Sequence, residues 1–197
     1  TSKLHTYKYN EDLFKKVSVL PDGKNHGLIF VLDWSGSMSK VLPDTIKQLY
    51  NLVWFCKKVS IPFEVYAFTC EWKLPEDTGE FAWSYVRKEN LLAVDSRFSM
   101  MNLFTSRTNS KQLEHQMINI WRIAKSFSNF YGSPYSVPNR LSLSGTPLNE
   151  AFVSLHQILP QFQKKNKLQK VQCIVLTDGE AGHLTSHVEI KNRWDPK

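Results

Sequence analysis

Two hydrophobic patterns alternate along this chain: short continuous apolar runs bounded by turn formers, and longer stretches with apolar residues three and four apart. Residues 28–32, Leu-Ile-Phe-Val-Leu after Gly27, form a continuous β-rich run of the kind a central strand buries on both faces. From Asp44, the apolar positions Ile46, Leu49, Tyr50, Val53 and Cys56 keep a helical period, and Pro43 with Asp44 supplies a start signal. Pro62 opens a second strand over 63–69, where Phe63, Val65 and Ala67 alternate with Glu64, Tyr66 and Phe68; Cys70 to Leu74 continues it as a hairpin or an edge. Helical spacing returns at Leu113, Met117, Ile120, Trp121, Ala124 and Phe127, and Gly132-Ser133-Pro134 ends it. In Gly145-Thr146-Pro147, Thr146 reads as an N-cap and Pro147 as the first helical residue, ahead of an apolar stripe at Leu148, Ala151, Phe152, Leu155, Ile158, Leu159 and Phe162. A last strand of the buried type spans 171–176 and runs into Thr177-Asp178-Gly179-Glu180.

Strand, helix, strand, irregular segment, helix, loop, helix, strand is the order of an α/β fold with a largely parallel central sheet flanked by helices. The pattern dissolves between about 75 and 110, which is long for a structureless connection and predicts an ordered insertion. The chain reads as one domain: an N-terminal extension over 1–26, a core over 27–182 carrying the insertion, and a C-terminal segment over 183–197. The start at Thr1 and the stop soon after the fourth strand leave open a fragment, or a domain short of its closing strands.

Composition agrees with one core: 197 residues at 42% hydrophobic suffice for a single compact domain. Cys56, Cys70 and Cys173 are odd in number, widely spaced and set in apolar stretches, so they read as small hydrophobes in a reducing compartment. No apolar run approaches the roughly 20 residues that cross a bilayer, and 1–16 is too charged for a signal-peptide core, so a cytoplasmic protein is expected. The net charge of +7 concentrates locally at Lys164, Lys165, Lys167 and Lys170, a run that reads first as a solvated helix end and second as a nucleic-acid patch.

The candidate chemistry sits where strands end. Leu32 runs into Asp33-Trp34-Ser35-Gly36-Ser37 and Leu176 into Thr177-Asp178-Gly179, and open α/β sheets bind ligands outside the carboxyl ends of their strands. Asp33, Ser35 and Ser37 alternate in a tight loop that aims three oxygens at one point, and Gly36 keeps the turn unblocked. Thr146 is a third contributor, at a helix start. Carboxylates, hydroxyls and water are the ligands a hard dication such as Mg²⁺ takes. Taken singly, each piece is an ordinary turn or cap.

Together, in this order, Asp33-x-Ser35-x-Ser37, the Gly-Thr-Pro-Leu loop at Thr146 and Thr177-Asp178-Gly179 resemble the three-part metal site of von Willebrand factor type A domains. The resemblance covers 27–182 and implies that family's Rossmann-like sheet. It further implies that Ser35, Ser37 and Thr146 offer hydroxyls to Mg²⁺, Mn²⁺ or Ca²⁺, that Asp33 and Asp178 act mainly through bound waters, and that one position stays open for a partner's Asp or Glu. Residues 62–69, with Glu71-Trp72-Lys73, are similar to the T subunit of aerobic cobaltochelatase and its phage-encoded relatives. That likeness implies an AAA+ ATPase of the MoxR type as partner, and the host cytoplasm as location if the chain is phage-encoded. Gly145-Thr146-Pro147 departs from the chelatase subunit toward the general A-domain pattern.

The expected function is therefore a metal-dependent protein-binding module. An enzyme is the rival, either a hydrolase using a metal-activated water or a chelatase-complex subunit; hydrolysis would need Glu180 or His183 as base. Nucleophile elbow, phosphate loop and His-Glu-x-x-His helix are all missing from the sequence. His183 and His187 stand four apart without a third ligand and read as a surface loop. Trp34 and Met38 flank the metal loop, either framing a docking surface or packing inward. A nucleic-acid protein is the third reading; nucleic acid is the less expected partner, and no membrane partner is expected.

Overall fold

The computed structural model describes residues 25–70, 92–94, 97–128 and 137–186. Its elements are β1 (His26–Asp33), α1 (Leu42–Lys58), β2 (Phe63–Cys70), β3 (Leu92–Ala93), β4 (Phe98–Thr105), α2 (Ser110–Ser128), α3 (Leu148–Lys165), β5 (Lys170–Leu176) and β6 (Thr185–Ser186), with short 3₁₀ turns at Ser37–Lys40 and Asn139–Leu141. Four strands form one sheet in the order β4-β2-β1-β5; β1 runs parallel to β2 and β5, and β4 antiparallel to β2. This is an α/β arrangement compatible with a Rossmann-like fold.

The continuous run of β1 is explained by cover on both sides. Phe30 and Leu32, with Phe63, Val65 and Ala67 of β2, pack beneath α1 and α2, whereas Ile29 and Val31, with Phe68, pack beneath α3. Ile29, Phe30 and Leu32 are consequently 0% exposed. Gly27 lets the end of α3 and the turn after it press onto β1, since a Cβ there would collide with Leu168 Cδ1 and lie 2.8 Å from Phe162 Cε1. α1 begins at Leu42, with Pro43 in its first turn, so the start predicted at Asp44 moves two residues toward the N-terminus. The insertion predicted over 75–110 is in part sheet: β4 pairs with β2 from Glu64↔Thr105 to Cys70↔Phe98, and α2 already starts at Ser110. The continuation predicted at 71–74, the helix end at 132–134, His187 and most of the predicted terminal segments lie outside the described residues.

Three expectations are corrected. The strand predicted over 171–176 is present, but it is not buried on both faces: among the described residues only β1 pairs with it, and Ile174 is 37% exposed. Cys173 on that strand is exposed for the same reason, while Cys56 is buried and Cys70 half-buried; the three cysteines form no disulfide. Phe152, read as part of the α3 stripe, stands 47% exposed, because α3 seats Ala151, Leu155 and Phe162 against the sheet and turns that position outward. No helix among the described residues is long and apolar enough to cross a membrane.

Candidate functional site

Connectivity creates the crevice. α1 starts from the carboxyl end of β1 and packs on one face of the sheet, while α3 starts near that same end, packs on the other face and runs back to the amino end of β5. The loops at the carboxyl ends of the strands are where open α/β sheets bind ligands. Asp33 ends β1, and Asp178 lies two residues beyond β5.

Backbone hydrogen bonds stitch the loops over this crevice. Trp34 N–H donates to Phe68 O at 2.9 Å, Gly36 N–H to Ser144 O at 2.8 Å and Ser144 N–H to Trp34 O at 3.4 Å, which ties the loop after β1 to the loop before α3. Trp34 anchors the assembly: it is 0% exposed, its Nε1–H donates to Leu141 O at 2.8 Å, and Phe127 of α2 meets it edge to face at 6.1 Å. Met38 is also buried, so both residues flanking the loop pack inward instead of framing a surface.

The predicted ligands converge. Ser37 Oγ–H donates to Asp178 Oδ1 at 2.8 Å, and the Ser35 and Ser37 hydroxyl oxygens are 3.0 Å apart. Thr146 faces the same loop, since a Cβ on Gly179 would stand 3.5 Å from its Oγ1 and 3.4 Å from its Cγ2. The capping role predicted for Thr146 is not adopted. α3 begins at Leu148, Pro147 occupies the cap position without a side-chain hydrogen bond, and the Thr146 carbonyl accepts from Leu148 N–H at 2.9 Å in a tight turn ahead of the helix. Its hydroxyl is thereby left to the crevice.

Asp33 is the electrostatic centre. Its carboxylate is 0% exposed; Oδ2 accepts from Thr177 Oγ1–H at 2.6 Å, while Oδ1 is buried with no hydrogen-bond partner. Burial pushes this carboxyl above its ordinary range, the Thr177 and Ser35 hydroxyls pull it back, and the charge of Asp178 adds to the rise. A half-satisfied buried carboxylate costs stability unless a cation or proton completes it.

Thr177 stands in the sequence motif without an expected role of its own, and the structure supplies one. It holds Asp33 across 144 positions of sequence, and its hydroxyl also accepts from Gly179 N–H at 3.1 Å, which shapes the turn that presents Asp178. Thr177→Val is expected to keep the fold and weaken divalent-ion affinity by about 10-fold or more, the scale for removing a group that orients a ligand; isothermal titration with Mn²⁺ reads it.

The donor set of two carboxylates and three hydroxyls fits a hard dication. Among the described residues no group of three His, Cys, Asp or Glu side chains forms an alternative metal cluster. Glu180 and His183 are both exposed on the following loop. No protein-family model, curated protein or solved structure matches the chain.

Proposed function

We propose that the chain is a divalent-metal-dependent protein-binding module, in which Asp33, Ser35, Ser37, Thr146 and Asp178 hold Mg²⁺ or a similar ion that grips an Asp or Glu of a partner. The observation that carries this reading is the unpartnered, fully buried Asp33 Oδ1 at the carboxyl end of β1, with Ser35, Ser37 and Asp178 gathered beside it. A bound dication would neutralise that carboxylate, and hydroxyl ligands leave the ion electrophilic enough to attract one more anion.

The chain's own residues have separable tasks. Thr177 orients Asp33; Trp34 and the Gly36–Ser144 hydrogen bond hold the two loops in register; Ser37 and Asp178 join the ends of β1 and β5. All of these groups bind and position. The resemblance to von Willebrand factor A domains supports the same reading, and the T-subunit likeness makes a MoxR-type AAA+ ATPase the first partner class to test. A role within a chelatase-like complex would use the same contact.

The experiment is capture of partners from host lysate on immobilised protein in 2 mM MgCl₂ against EDTA. A partner retained with Mg²⁺, released by EDTA and displaced by high concentrations of acetate is expected; capture indifferent to EDTA rules the mechanism out.

A further inference from the structure

At the opposite end of the sheet, the topology gathers cations from three separate stretches of sequence. The end of α1 brings Lys58, the start of α2 brings Lys111, the end of α3 brings Lys164, Lys165 and Lys167, and the start of β5 brings Lys170. Their proximity is fixed by hydrogen bonds and packing: Lys57 Nζ–H donates to Ser106 O and Thr108 O, Gln169 N–H to Asn25 O, and Asn166 shares a recess with Cys56, Lys57 and Pro62. The six named lysines are exposed, and none forms an ion pair among the described residues. Cations stand at the metal-site end too, where Lys40, Lys125 and Arg140 lie, but the described carboxylates are concentrated there. Asp33, Asp44, Glu150, Asp178 and Glu180 lie at the metal-site end, and toward the basic end stand only Glu114 and Glu64, the latter already paired with Arg107 at 3.0 Å.

Helix dipoles explain part of this. Lys58, Lys164 and Lys165 end helices, where positive charge is favoured. They do not explain Lys111, which sits in the first turn of α2, where a cation is disfavoured and which holds no acidic residue. Nor do they explain Lys167, which holds a left-handed backbone at φ 53° just past α3, a place that glycine ordinarily takes. At these two positions local preference is overridden in favour of positive charge.

We infer that this basic end binds the phosphate backbone of single-stranded nucleic acid. The cations run across the width of the sheet, whose four strands alone span about 15 Å, and a line of separated point charges suits a linear polyanion. At its centre lies a recess of about 260 Å³ lined by Cys56, Lys57, Ser60, Pro62, Ser106 and Asn166, which offers polar groups to an unstacked base. Outside the recess, Phe55 in the last turn of α1 is 56% exposed and offers a stacking face at the same end of the sheet. A flat bilayer surface would use the lysines but could not enter the recess.

The test is fluorescence anisotropy of a labelled 20-nucleotide oligo(dT) with the full chain in EDTA, from 50 to 200 mM KCl, which silences the metal centre. Wild type should bind, with affinity falling steeply with salt. The K164E/K165E/K167E/K170E variant should bind at least about 10-fold more weakly, with a salt slope shallower by about 0.7 for each phosphate that is no longer neutralised. K58E/K111E, on the other side of the sheet, should show the same weakening in smaller measure, so that the result does not hang on one variant's folding. Phe55→Ala should weaken binding without changing the slope. Absence of binding at 50 mM KCl, affinity unchanged by both charge reversals, or equal or tighter binding to phosphatidylserine vesicles or polyglutamate would overturn the inference.

Discussion

Asp33→Asn is expected to abolish Mg²⁺-dependent partner capture while making the metal-free protein more stable. The carboxylate lies fully buried with Oδ1 unpartnered, so without a cation its charge opposes folding. An uncharged amide of the same shape relieves that cost, by about 1–3 kcal/mol at pH 7 in urea unfolding with EDTA present. The same change removes a carboxylate from the metal's surroundings, and affinity should fall beyond about 100-fold, the upper end of what loss of an orienting group costs. A variant that lost both stability and capture would show Asp33 to be a structural residue.

The pH dependence has a definite sign. The folded-state pKa of Asp33 is raised by burial, so the native protein binds a proton more readily than the unfolded chain does. The stability this contributes to the metal-free protein is complete below the ordinary carboxylate pKa and is lost as pH rises through the raised folded value. Metal must displace that proton, so divalent affinity should climb with pH over the same window and level off above it. Asp33→Asn should flatten Asp33's contribution to the stability profile.

Trp34→Ala should instead lose stability, about 3–5 kcal/mol, the range for emptying a buried aromatic site. The residue fills the junction between the loop after β1, the 137–146 loop and α2, and its indole N–H supplies the hydrogen bond to Leu141 O. Truncation therefore loosens the two loops whose register sets the site, and divalent affinity should fall together with the melting temperature. Trp34→Phe separates the contributions: it retains much of the packing and deletes the Leu141 hydrogen bond, so it should cost less stability.

What the sequence could announce was local. The continuous run at 28–32, the alternating run at 63–69 and the helical stripes of α1, α2 and α3 follow from burial periodicity, and each became the expected type of element. Asp33, Ser35 and Ser37 were legible because one short loop contains them, and the strand-end rule was enough to bring Asp178 near. β4 was hidden because Phe98 to Thr105 holds no clean alternation; it is a half-exposed edge strand.

Only the tertiary structure decided the remainder, since it depends on what lies opposite each residue. The exposure of β5 arises from the absence of a second neighbour among the described residues, which the hydrophobicity of the strand does not encode. Thr146 forgoes its cap and turns its hydroxyl toward Gly179, and Thr177 reaches back 144 positions to hold Asp33. Sequence determined which side chains could serve a cation, because residue type fixes ligand chemistry. The fold determined that Asp33 is buried and incompletely bonded, because desolvation and geometry come only from the packing around it.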